Sequence, residues 1–150
     1  MEMLFGLPTH PLLVHFPIVA VPAFALLALW WSARPWFDGR ATGGLAVFGL
    51  VTAIATFFAA KSGEALAELL NSGEAIDKHR ELGETLRVIV IFQAGVVISM
   101  MAVATRPSIG SNHRVAMVLR ALAAISSILA LIWVVRVGHE GASRTWGFLS

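Results

Sequence analysis

Apolar residues dominate four stretches of this chain, and each is long enough to cross a lipid bilayer. The hydrocarbon core is roughly 30 Å thick, so a spanning helix needs roughly 20 mainly apolar residues. Residues 12–31, 45–60 (with flanking glycines), 86–104 and 115–137 meet that requirement. The third carries Arg87 at its mouth, and the fourth carries Arg120, whose long stem can reach the near interface. Open strands cannot cross lipid with unpaired backbone groups, and the chain lacks the alternation of a barrel. The pattern therefore predicts an all-α fold: an antiparallel four-helix integral membrane bundle, forming one domain over 1–150.

The polar interval at 61–87 is patterned too. In KSGEALAELL, Ala65/Leu69 and Leu66/Leu70 form an apolar stripe, while Glu64 and Glu68 share the adjacent face one turn apart. This predicts an additional outer amphipathic helix. Asn71, Ser72 and Gly73 interrupt it, and helix resumes at about Ala75 and runs through His79 into the third span. That last helix of roughly 30 residues is ~45 Å long and rises beyond the lipid.

Composition agrees with the membrane assignment. Hydrophobic residues make up 57% of the chain and charged ones 13%, too little charge to cover a soluble domain of this size. Cysteine is absent, which excludes disulfides, thiolate metal sites, thioether-linked haem and cysteine nucleophiles. Tyrosine is absent as well. There is no phosphate-cradling glycine loop, no serine-histidine-acid pattern and no basic-aromatic face for nucleic acid. Few central ionisable groups and no evident inverted repeat argue against a transporter.

Charge sets the expected orientation. One pair of connections holds Arg34, Arg40, Arg106, Arg114 and Arg120 against a single acid, Asp38. The other side holds Lys61, Lys78, Arg80, Arg87, Arg136 and Arg144 against eight acids. Compact, arginine-rich connections belong in the cytoplasm. The chain is thus expected in the plasma (inner) membrane with both termini on the outer, periplasmic side. Trp30, Trp31 and Trp36 then fall in the inner interfacial belt. The opening MEMLFGLPTH lacks a basic start and a small-residue cleavage site, so it is not expected to be a cleaved signal. Pro11 suits a first helical turn, whereas Pro17 and Pro22 are expected to interrupt the hydrogen-bond ladder near His15.

This topology puts four of the five histidines, His10, His15, His79 and His139, on the outer side, leaving His113 as a surface residue on the other. Imidazole is the commonest metal-binding side chain and ligates haem iron. At about 1.5 Å per residue, His79 and His139 lie roughly 35–40 Å from the inner helix ends, His10 about 30 Å and His15 about 23 Å. Such heights permit a haem near the outer interface and equally a metal ion held by histidines with carboxylates. Gly83 lies one turn from His79 and would admit a flat cofactor or another backbone. Glu64 and Glu68 are candidate ligands or relay groups, and Glu140 in GHEG is a ligand or a group that orients one. Each of these also has a plainer use in packing or solvation.

HPLLVHFP at 10–17, SGEALAE at 62–68, HRELGE at 79–84 and GHEG at 138–141 together resemble the bacterial membrane proteins grouped as domain of unknown function 2231. The similarity runs along essentially the whole chain, and HPxxVHFP is its most specific part. After GHEG, Ala142, Ser143 and Arg144 replace the glycine and apolar stretch of the family pattern. The resemblance implies a four-helix membrane domain with histidines at its outer end. Relatives joined to Rieske-type or cytochrome c-like modules imply redox work with b-type haem. It marks His10, His15, His79 and His139 without dividing roles among them.

Three readings follow, and no catalytic residue is assigned in any. One is a b-type cytochrome-like electron carrier, with haem b held by His15, His79 and His139 in some pairing beside Gly83. It would work among other membrane redox subunits. Another is a transition-metal site built from His10, His15, His79, His139 and Glu64. The last is a cofactor-free structural subunit of a larger membrane complex. In it, Gly43, Gly44, Gly49, Ala53 and Gly95 allow close helix contacts.

Overall fold

A computed structural model describes residues 3–4, 7–34, 39–69, 74–106 and 113–146, with side chains placed for 9–34, 39–68, 78–106 and 113–143. A two-residue antiparallel ladder, β1 (Met3–Leu4) with β2 (Leu7–Pro8), precedes the helices. Then come α1 (Thr9–Leu13), α2 (His15–Ser32), α3 (Gly39–Leu69), α4 (Glu74–Thr105) and α5 (His113–Trp146). Four helical stretches are long and apolar enough to cross a membrane: Thr9–Ser32, Gly39–Glu68, Lys78–Thr105 and His113–Ser143. The all-α membrane bundle expected from the sequence is the observed architecture.

Each boundary has a local cause. Arg34 and Arg106 each precede a proline, which disfavours the α conformation, and α2 and α4 stop just before them. Both last turns close with tighter bonds, Arg34 N–H to Trp31 O at 3.1 Å and Arg106 N–H to Val103 O at 3.3 Å. The division of the first span at Val14 follows from Pro17, which has no amide proton for the Leu13 carbonyl. Val14 itself keeps a right-handed helical backbone, and Val14 N–H to His10 O and Ile18 N–H to Val14 O carry the ladder across. Pro22 is accommodated inside α2.

The amphipathic segment at 61–69 is not a separate helix but the continuation of α3, which runs unbroken from the second span. The buried face of the span continues into it, with Ala59 and Ala67 both buried, so nothing forces a break between them. α4 resumes at Glu74 and has 32 residues, close to the expected length. At 31, 32 and 34 residues, α3, α4 and α5 all exceed what the hydrocarbon needs, so all three rise beyond it. The expected break at Asn71, Ser72 and Gly73, and Trp36 of the aromatic belt, lie outside the described residues.

The helices pack as a closed ring in chain order, α2 on α3, α3 on α4, α4 on α5, and α5 back on α2, with α1 against α3. The interior is rich in small residues, with Ala20, Ala25, Ala28, Ala46, Ala53, Ala94, Ala123 and Ala130 buried beside the larger Val21, Phe24, Val90, Val97 and Met100. Large side chains such as Ile18, Val19, Val47, Phe58, Val88, Phe92 and Val135 point outward. Lipid is as apolar as leucine, so burial of bulk gives no drive, and helices associate where backbones come close. Gly49 shows how close. A Cβ there would stand 2.5 Å from Cζ of the fully buried Phe24, whose ring meets Phe48 edge-on at 6.0 Å.

Buried hydroxyls are satisfied locally. Thr52, Thr56 and Ser126 donate to the carbonyls of Phe48, Thr52 and Leu122 at 2.7–2.8 Å. Between helices, Gln93 on α4 donates to Ser127 on α5 at 2.9 Å, both wholly buried. At the opposite end from the histidines, Trp31 Nε1 donates to Thr42 on α3 at 3.0 Å, and Arg34 lies 3.9 Å over the Trp30 ring.

Candidate functional site at the histidine-bearing end

The antiparallel packing brings His10, His15, His79 and His139 to one end of the bundle, the end that also carries Glu64, Lys61, Lys78 and Glu140. His113 starts α5 at the other end and is exposed.

His10 is held against α3. Its Nδ1 lies 3.0 Å from the Ala59 carbonyl and 3.1 Å from the Ser62 hydroxyl, and Ser62 itself donates to the same carbonyl at 2.8 Å. Because the carbonyl only accepts and the Ser62 proton is already spent on it, Nδ1 must be the protonated nitrogen. In the neutral ring, Nε2 then keeps its lone pair. The ring lies on Gly63, with Cε1 2.9 Å from where a Cβ would stand. His15 repeats the tautomer: Nδ1 donates to the Pro11 carbonyl at 2.6 Å, and the side chain is exposed.

His79 is half-buried against α5, its Cε1 3.2 Å from the Cβ position of Gly141. His139 comes two residues before Gly141, about 200° around the helix, and is exposed. His79 and His139, matched by height, thus face different directions. Beside them Lys78 pairs with Glu140 at 3.3 Å.

These contacts obey one spacing. His10 and Phe24 meet Gly63 and Gly49, and His79 and Gln93 meet Gly141 and Ser127; each step is 14 residues along each helix. Two heptads keep a helix face turned toward the same partner. The bundle is thus two similar hairpins, each seating a histidine from its first helix on a glycine of its second.

Glu64 lies between two cations. Lys61 bonds one carboxylate oxygen and Arg87 Nη1 the other at 2.9 Å, with Glu64 and Arg87 side chains 18% and 19% exposed. A metal ion on Glu64 would have to share a carboxylate oxygen with one of these cations or displace it. Glu68 is exposed. Among the described residues, no group of three or more histidine and acidic side chains is arranged to hold a metal ion.

Gly83 has no neighbour within 4 Å of its Cβ position, so room exists there but no backbone uses it. The glycines of close approach are Gly63 and Gly141. Both sit in the motifs SGE and GHEG, two heptads from a core contact of the same seam, a spacing available in the sequence once the pairing of helices is known.

No similar curated protein and no similar solved structure is found. The profile of a family described as "Predicted membrane protein (DUF2231)" matches residues 6–149, which takes in all four helical stretches and every histidine discussed above. With nearly its whole length matched, this chain belongs to the DUF2231 family of predicted membrane proteins.

Proposed function

We propose that this protein is a membrane-integral redox subunit of b-cytochrome type, in which imidazoles at the histidine-bearing end ligate haem. The observation that carries the reading is that Nδ1 of His10 and of His15 each lies on a backbone carbonyl, from which the same tautomer follows. Each Nδ1–H is fixed on a backbone carbonyl, which leaves Nε2 as a bare donor, the arrangement by which proteins orient metal-binding imidazoles. The donor set suits haem better than a compact metal-ion site, since haem would take one or two imidazoles from the chain rather than three or four ligands. Haem would supply one-electron transfer. The chain would supply the ligand nitrogens, the apolar helix walls and, through Lys78 and Arg80, positive charge at the polar end. His15, His79 and His139 remain the partners to be sorted, with the space at Gly83 beside them.

We place the protein in the plasma membrane with both termini outside, where it would pass electrons to other membrane redox subunits. The arginine-rich, acid-poor connections support that orientation. Reporter fusions at both termini and at the connection near residue 110 test it.

The deciding experiment is a reduced-minus-oxidised visible spectrum of the detergent-purified protein expressed with ample haem. Sharp Soret and alpha bands that vanish in His10→Ala, His15→Ala, His79→Ala or His139→Ala, with the bundle still helical, support ligation. A haem-free wild type sinks it. A second reading, a cofactor-free structural subunit, draws on a different observation: His10 on Gly63 and His79 on Gly141 already serve as interhelical packing. A protein without haem or metal that co-purifies with a membrane complex would favour it.

A further inference from the structure

At the end remote from the histidines, an open groove of about 260 Å³ runs between the last turns of α2 and the first turns of α3. Leu27, Trp30, Trp31, Gly44, Leu45 and Phe48 line it, and almost all of that surface is apolar. Trp30 and Gly44 are exposed, so the groove opens to the side of the bundle, where lipid lies. One of its indole N–H groups is already engaged, because Trp31 Nε1 donates to Thr42. The volume falls below the ~300 Å³ at which pockets begin to take whole small molecules, so it fits part of a chain.

Its rim is cationic. The Arg34 guanidinium lies 3.9 Å over the Trp30 ring and 5.7 Å from Trp31, and exposed Arg40 precedes groove residue Ala41. Cation–π stacking holds the Arg34 head at the mouth and leaves its N–H edge for an anion. Residues 27–48 contain these two arginines and a single acid, Asp38. Tryptophans mark the headgroup level of a bilayer, the depth at which phosphate groups lie.

We propose that this groove binds an anionic phospholipid, one acyl chain lying against Gly44 and Phe48 and the phosphate between Arg34 and Arg40. The apolar lining selects the chain, and the paired arginines select net negative charge over a zwitterion, whose ammonium they repel.

Gly44 provides the test. A Cβ there meets nothing within 4 Å, so the side chain of Gly44→Leu starts in open space and extends into the groove, with helicity as the check on the fold. The full-length protein, delipidated in detergent, is given equal phosphatidylglycerol and phosphatidylcholine with the same acyl chains. Retained lipid is counted by native mass spectrometry, and helicity is checked by circular dichroism. Wild type should keep one phosphatidylglycerol in preference to phosphatidylcholine by about tenfold or more, at about 1 kcal/mol per arginine. Arg34→Gln should lower that preference about fivefold while keeping the fold. Gly44→Leu should abolish retention of either lipid. Equal retention of the two lipids by wild type overturns the proposal, as does undiminished retention by a helical Gly44→Leu.

Discussion

The imidazole of His10 lies flush on Gly63, its Cε1 2.9 Å from the place a Cβ would occupy, while its Nδ1 bonds the Ala59 carbonyl one turn earlier on the same helix. Position and tautomer of the ring thus depend on a missing methyl group. Gly63→Ala should push the ring off Ala59 and lower stability by about 1–3 kcal/mol, the usual cost of overpacking. Gly83→Ala is the control. With open space at its Cβ, it should be neutral or stabilising by up to about 1 kcal/mol through helix propensity. Thermal unfolding in detergent and the ¹⁵N shifts of the His10 ring test both. An unshifted His10 tautomer in Gly63→Ala would contradict the seating.

The Phe24–Gly49 contact is tighter and lies in the core, where the ring cannot swing aside. Gly49→Ala should cost about 2–3 kcal/mol. Phe24→Leu in the same chain should recover part of that loss, giving a coupling of at least about 0.5 kcal/mol in a double-mutant cycle. Additive losses would mean that the two residues do not touch.

Gln93 and Ser127 form a hydrogen bond that leaves the Gln93 carbonyl oxygen buried without a partner among the described residues. A half-satisfied amide gives little net stability. Gln93→Met should therefore shift unfolding by less than about 1 kcal/mol, whereas Ser127→Ala, which strands the whole amide, should cost about 1–2 kcal/mol. The reverse order in chemical or thermal unfolding would show that the oxygen is bonded after all.

Glu64 joins α3 to α4 through Arg87 and is itself steadied by Lys61. Glu64→Gln should destabilise by on the order of 1–2 kcal/mol, because the pair is mostly shielded from water. Part of the loss should vanish against an Arg87→Gln background. Haem or metal content, measured on the same preparations, should stay at the wild-type level, since both Glu64 oxygens are engaged by cations. A fall in bound metal in a folded Glu64→Gln protein would restore Glu64 as a ligand.

The sequence by itself determined the number of membrane-length apolar helices, the helical character of 61–69 and the gathering of four histidines at one end. These follow from chain length in lipid, from proline and from the up-down path, which are local or one-dimensional properties. It did not determine that 61–69 belongs to α3, because an amphipathic stripe looks alike whether it continues a span or starts anew. Nor did it determine that His10 faces Gly63, that His79 faces Gly141 and turns away from His139, or that Glu64 is engaged by Lys61 and Arg87. In a soluble helix the apolar stripe announces the buried face. In these spans every face is apolar and the interior is marked mainly by an excess of small residues, so rotation and register are fixed by close contact between helices. That information exists only once Phe24 meets Gly49, Trp31 meets Thr42 and Gln93 meets Ser127.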